Sequence, residues 1–96
     1  MSTTTLQGVG WLMAPEELDA AATGVLVEEL KFQRGKTVVL DMSGVMVLDS
    51  ISVRVLLKAH WDFVQAGREL LLYAVHGLPL KVLQICELDS VFHLVE

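Results

Sequence analysis

Thr37-Val38-Val39-Leu40-Asp41-Met42-Ser43-Gly44-Val45-Met46-Val47-Leu48-Asp49-Ser50-Ile51-Ser52-Val53-Arg54-Val55-Leu56-Leu57 is the stretch whose reading decides the fold. A β-branched apolar run ends in Asp41 and a Ser-Gly loop follows. A second apolar stretch, Val45 to Leu48, then gives way at Asp49-Ser50 to a helical pattern. Asp or Ser at such a junction accepts hydrogen bonds from the free N–H groups of the first helical turn. Capping accounts for one member of the pair, Asp49 or Ser50, and leaves the other to be explained.

Outward from this stretch, Leu6 to Met13 reads as a hairpin-like pair of short strands, with Gly8 and Gly10 permitting the turn and Pro15 breaking it. Leu18, Ala22, Leu26 and Leu30 recur at helical spacing up to Phe32, and Gly35 ends that helix. Lys36 to Asp41 is a central strand, and Ser50 to Ala66 is the best-patterned helix, stopped by Gly67. Glu69 to Val75 is a buried strand. Gly77 and Pro79 mark a turn into a helix from Leu80 to Glu87, and Val91 to Val95 adds a last short strand. Strands alternating with helices imply parallel crossovers. The expected fold class is α/β: a single domain over residues 1–96, a mixed sheet of about four to five strands, and three or more helices packed on it.

Leu40-Asp41-Met42-Ser43-Gly44-Val45 and Leu48-Asp49-Ser50 resemble, without a gap, the signature of the STAS domain family: an apolar strand ending in Asp, Ser-Gly-Val, an apolar pair, and Asp-Ser opening a helix. The resemblance extends through nearly the whole chain. Glu17-Leu18-Asp19-Ala20 is similar to the turn before the family's first helix, and Ala66-Gly67-Arg68-Glu69-Leu70 to the loop before its next strand. Val82-Leu83 and Leu88-Asp89 with Phe92 resemble its C-terminal helix and exit. The family includes anti-sigma factor antagonists and related domains of anion transporters and lipid-transport systems.

The chain's 96 residues suit one domain, which at this size buries roughly 60–65% of its unfolded surface. Apolar content of 53% is high for so short a chain and leaves apolar surface for a partner. No apolar stretch approaches the ~20 residues that span a bilayer. Met1-Ser2-Thr3-Thr4-Thr5 has neither a basic region nor an apolar signal core, so the expectation is a cytoplasmic protein without direct membrane insertion. Cys86 is the single cysteine; it sits in an apolar helical run and is expected to be a buried, inert thiol. A net charge of −5 with scattered Lys and Arg argues against nucleic acid as a ligand.

At 100° per residue, Val53, Leu56, Leu57, His60, Phe63 and Val64 form one apolar arc of the central helix, and Arg54, Lys58, Asp62 and Gln65 the opposite one. Ile51 and Val55 fall among the charges, with Trp61 at the edge. Apolar residues so placed are either ordinary surface scatter or part of a docking face. The resemblance implies the second, because in the family the start of this helix meets regulatory partners.

Ser50 likewise has two readings. A serine at a helix start is commonly a cap, whereas the resemblance implies the residue that a partner kinase phosphorylates. A phosphoryl group there would meet the positive end of the helix dipole. Arg54, one turn on, leans towards it. Asp19, at the matching turn, is either a helix cap or a partner contact beside Ser50. Family members commonly read Asp-Ser-Ser-Gly-Leu or Asp-Thr-Gly-Gly-Leu where this chain has Asp49-Ser50-Ile51-Ser52-Val53, so Ser52 replaces a glycine. Glu16 stands where the family has a glycine before Glu-Leu-Asp. The stretch Ile51 to Leu56 is closer to the stressosome scaffold proteins.

Catalytic readings are weaker. Ser50 and His60 lie about 15 Å apart along the helix axis, too far for a nucleophile and its base. His76, His93 and Cys86 lack metal-ligand spacing, and Gly8-Val9-Gly10 lacks the rest of a phosphate-binding fingerprint. A receiver domain with Asp41 as phosphoacceptor would need an acidic pair near the first strand, which is missing. The expectation is therefore a non-enzymatic module with no cofactor or metal. Its implied partners are an anti-sigma factor of the serine-kinase type and a phosphatase; the alternative is a subunit docking on the ATPase of an ABC-type lipid-transport complex. Asp19, Asp49, Ser50, Ile51, Ser52, Arg54 and Val55 form the expected partner-binding set, with Ser50 as the phosphorylation site.

Overall fold

Alternation of apolar strands with amphipathic helices produces a layered α/β molecule in the computed structural model, which describes residues 9–96. In chain order the elements are β1 (Val9–Met13), β2 (Glu17–Leu18), α1 (Ala20–Phe32), β3 (Thr37–Asp41), β4 (Val47–Leu48), α2 (Ser50–Gln65), β5 (Glu69–Tyr73), α3 (Gly77–Ile85) and β6 (His93–Val95). The main sheet has the order β1-β3-β5-β6, and β2 pairs with β4 in a separate two-stranded piece. Register aligns Leu12, Leu40 and Leu72 in one row, and Trp11, Val39 and Leu71 in the next.

Side chains alternate across a strand, and here the two faces differ. Val38, Leu40, Leu70 and Leu72 point to the helices and are buried in one core with Leu26 and Leu30 of α1 and Val53, Leu56 and Phe63 of α2. The opposite face carries exposed Val9, Trp11 and Met13, with half-buried Leu71 and Tyr73. The Trp11 and Tyr73 rings pack there, 5.3 Å apart.

All strand pairs among the described residues are parallel, where the sequence suggests a mixed sheet. The expected hairpin is corrected in part: Val9 to Met13 is one continuous strand with Gly10 inside it, and Leu6 to Gly8 lie outside the described residues. Gly10 therefore serves no turn; a Cβ there would meet Oε1 of Gln33 at 2.6 Å, the movable end of a flexible side chain. β5 stops at Tyr73, two residues early, because Ala74 takes a positive φ. α3 starts at Gly77 instead of Leu80, so Pro79 lies in its first turn, where a missing N–H costs nothing. Gly67, at φ 72°, stops α2 as expected.

Two burial expectations are overturned. Cys86 is exposed, because α3 ends at Ile85 and Glu87 turns the chain away in a left-handed conformation. Val64 is 45% exposed. The buried face of α2 comprises Ser52, Val53, Leu56, Ala59, His60 and Phe63, centred about 50° from the apolar arc towards its two smallest members. Ser52 and Ala59 allow close packing that a purely apolar tally of the helix overlooks.

Candidate functional site

β2 and β4 are two residues each, yet they position the molecule's most informative polar groups. Their parallel register sets Glu17 opposite Val47 and Leu18 opposite Leu48. The buried leucines anchor both strands in the core. Immediately beyond them, Asp19 and Asp49 begin α1 and α2. Each is an N-cap in extended conformation: Asp19 accepts from the Ala22 N–H at 2.9 Å and Asp49 from the Ser52 N–H at 2.7 Å. The Ser52 backbone N–H, first among the causes, holds the Asp49 carboxyl below its ordinary range, so this cap is an anion at neutral pH.

Asp49, not Ser50, takes the capping role. Ser50 is therefore the first residue of the helix proper, exposed at the positive end of its dipole. Arg54 is exposed one turn on. Ile51 is 56% exposed and Val55 half-buried. Ser52 stands apart from this group: it is fully buried, and its hydroxyl donates to the Leu18 carbonyl at 2.7 Å. It locks the start of α2 onto β2 and presents no side chain to a partner.

Met46 and Val47, 55% and 48% exposed, add apolar surface just before the cap. Sequence reading treats Val45 to Leu48 as one apolar stretch, and only Val45 and Leu48 turn inward. With Ile51 they make an apolar patch beside the Asp19–Asp49 pair. Such a patch rimmed by carboxylates suits a protein surface better than a small polar ligand.

The other polar candidates are otherwise engaged. Asp41 is buried, and its carboxylate accepts from the Ser43 N–H at 2.9 Å. The Ser43 hydroxyl and then its N–H hold that carboxyl below the ordinary range, with a smaller contribution from the Trp11 indole. His76 lies within 2.8 Å of the Ser43 carbonyl through Nε2. A carbonyl only accepts, so Nε2 carries the proton. His60 is buried against Phe92, away from Ser50, and burial, followed by the charge of His93, lowers its pKa. No cluster of three or more His, Cys, Asp or Glu side chains suited to a metal occurs among the described residues, and no helix among them is long and apolar enough to cross a membrane.

Compared with known families, the chain matches the model described as STAS domain over residues 1–96, its whole length. Among curated proteins there is no match.

Proposed function

The chain belongs to the STAS domain family, and from that premise we propose that it passes a signal by binding a protein partner at the start of α2, with phosphorylation of Ser50 as the switch. The observation that carries this reading is the division of labour at the helix start. Asp49 supplies the cap, which leaves the exposed Ser50 hydroxyl outside the capping role. Ile51, Met46 and Val47 supply apolar contact, while Asp19, Asp49 and Arg54 supply charge. In this reading the module is an anti-sigma factor antagonist working in the cytoplasm. Its partner is a serine-kinase anti-sigma factor, and a phosphatase resets it.

Charge sets the sign of the switch. Phosphoserine brings about −1.5 to −2 charges beside Asp49. In the free domain the helix dipole and Arg54 offset that charge, so the fold persists. Inside a closed interface the same group loses water and opposes neighbouring carboxylates. A penalty of about 1.4–4 kcal/mol there weakens affinity roughly 10- to 1000-fold. Titration of the partner by calorimetry against the native, phosphorylated and Ser50→Asp proteins tests this, with release on phosphorylation as the expected result. Equal affinity throughout would favour the second reading, a constitutive subunit docked on the ATPase of a lipid-transport complex. The exposed apolar patch is what favours that alternative, since it binds without needing a phosphate.

A further inference from the structure

A second surface lies on the other side of α1. The side of α1 that bears Val27, Leu30 and Lys31 meets Ala59, Asp62 and Phe63 of α2. Away from that seam, a groove of about 510 Å³ runs between α1 and the end of β1, lined by Met13, Ala14, Pro15, Ala22, Val25, Leu26 and Glu29. Its walls are apolar and partly exposed: Met13 is 67% and Val25 64% accessible.

Charge around it is one-sided. No Lys or Arg occurs before Lys31, whereas Glu16, Glu17, Asp19, Glu28 and Glu29 all precede it. Lys31 is already paired with Glu28 at 3.0 Å. No salt bridge among the described residues reaches Glu16, Glu17, Asp19 or Glu29, and all four are exposed. The groove is thus an apolar trough beside an uncompensated acidic stretch, complementary to a segment that is both apolar and basic.

At the floor of the groove the Ala14 N–H already donates to the Asp41 carbonyl at 2.9 Å and Pro15 has no N–H to offer, so these two residues meet a ligand through their side chains. The α1 wall, Ala22, Val25, Leu26 and Glu29, follows i, i+3, i+4, i+7 spacing over two helical turns, roughly 10 Å. That is the span over which a second helix lies alongside and interleaves its own apolar ridge.

We propose that the β1/α1 groove is a second docking surface, which takes the apolar face of a cationic amphipathic helix from a protein partner. The residues that line it are other than those at the start of α2, although Asp19 borders both, and it does not depend on Ser50. Anionic membrane is a poor fit, because the acidic stretch repels it.

The test uses the full chain and a labelled 18-residue Leu/Lys amphipathic peptide, with a Leu/Glu peptide of the same apolar pattern as control. Anisotropy titration and amide shift mapping are the readouts. The expected result is binding of the Leu/Lys peptide alone, with shifts confined to Met13, Ala22, Val25 and Glu29. Val25→Asp separates groove from charge: it deepens the acidic field while removing apolar wall, so groove docking weakens about ten-fold. Glu29→Lys weakens it too. Undiminished binding by Val25→Asp, or shifts centred on Ile51, would overturn the proposal. So would a self-associating chain, seen by sedimentation, whose dimer is lost in Val25→Asp, since a second copy would then be the occupant.

Discussion

Asp19 and Asp49 stand side by side at the ends of two paired strands, each one step beyond the register match of Leu18 with Leu48, and each starts a helix with its own carboxylate. Two helix dipoles therefore present their positive ends at one place, already partly neutralised by fixed anions. An added phosphate at Ser50 enters a site whose balance of charge is close. In the proposed reading, small changes of charge there alter partner affinity more than they alter the fold.

The modification is expected to be single. A cognate kinase with Mg-ATP should add one phosphoryl group, on Ser50, read by intact mass and by fragmentation. Ser50→Ala should abolish it while leaving the cap on Asp49 intact. Unchanged modification of that variant would move the switch elsewhere.

Ile51→Asp should weaken partner binding by more than about 1.4 kcal/mol, ten-fold in Kd, with a melting temperature close to native, because Ile51 is more than half exposed. Val55→Asp should do the same to affinity but also lower the melting temperature, since Val55 is half-buried. Calorimetry and thermal melts together separate the two effects.

Ser52→Ala should cost about 1–3 kcal/mol, because it strips the buried Leu18 carbonyl of its donor. Denaturant unfolding measures this loss. Ser52 faces inward, so at temperatures where the variant is folded its partner affinity should stay near native.

Acidification should destabilise the fold through His60. Burial and the charge of His93 depress its pKa in the folded state below the ordinary 6.5. The neutral ring is the one the fold favours, so the contribution is complete above that value and is lost as pH falls below it. Its Nδ1 is buried without a partner. His60→Phe should flatten the stability profile between about pH 7.5 and 5.5, and melts across that range check it. His93, whose ring lies 5.9 Å from that of His60, pairs with Glu69 at 3.1 Å.

Much of the architecture was legible because the decisive signals are local. The β-branched run ending at Asp41, the start of α2 at Ser50 and the stop at Gly67 each depend on a few consecutive residues. The Asp49-Ser50 pair was visible for the same reason, but which of the two caps the helix depends on backbone angles that no spacing encodes. Ser52 stands in the expected partner-binding set through the resemblance alone, and the bond that spends its hydroxyl inside the fold is to the Leu18 carbonyl, remote in sequence. Met46 and Val47 escaped notice because a two-residue strand is too short to show alternation. The groove was invisible for a related reason: Met13 and Val25 belong to different elements and meet only once the chain folds.

No described strand hydrogen-bonds to the next strand in the chain except β5 to β6, and even that step crosses α3. Val9 finds its partner only at Thr37, Thr37 at Glu69, and Glu17 at Val47. On a ribosome β1 emerges before β3, the described strand it pairs with, and no hairpin among the described elements can serve as an early nucleus. Each described ladder closes a long loop, a contact pattern that folds more slowly than that of helical bundles of this length. The apolar side chains of β1, Val9, Trp11 and Met13, are therefore in view of solvent until β3 has been made, and they remain exposed in the finished fold.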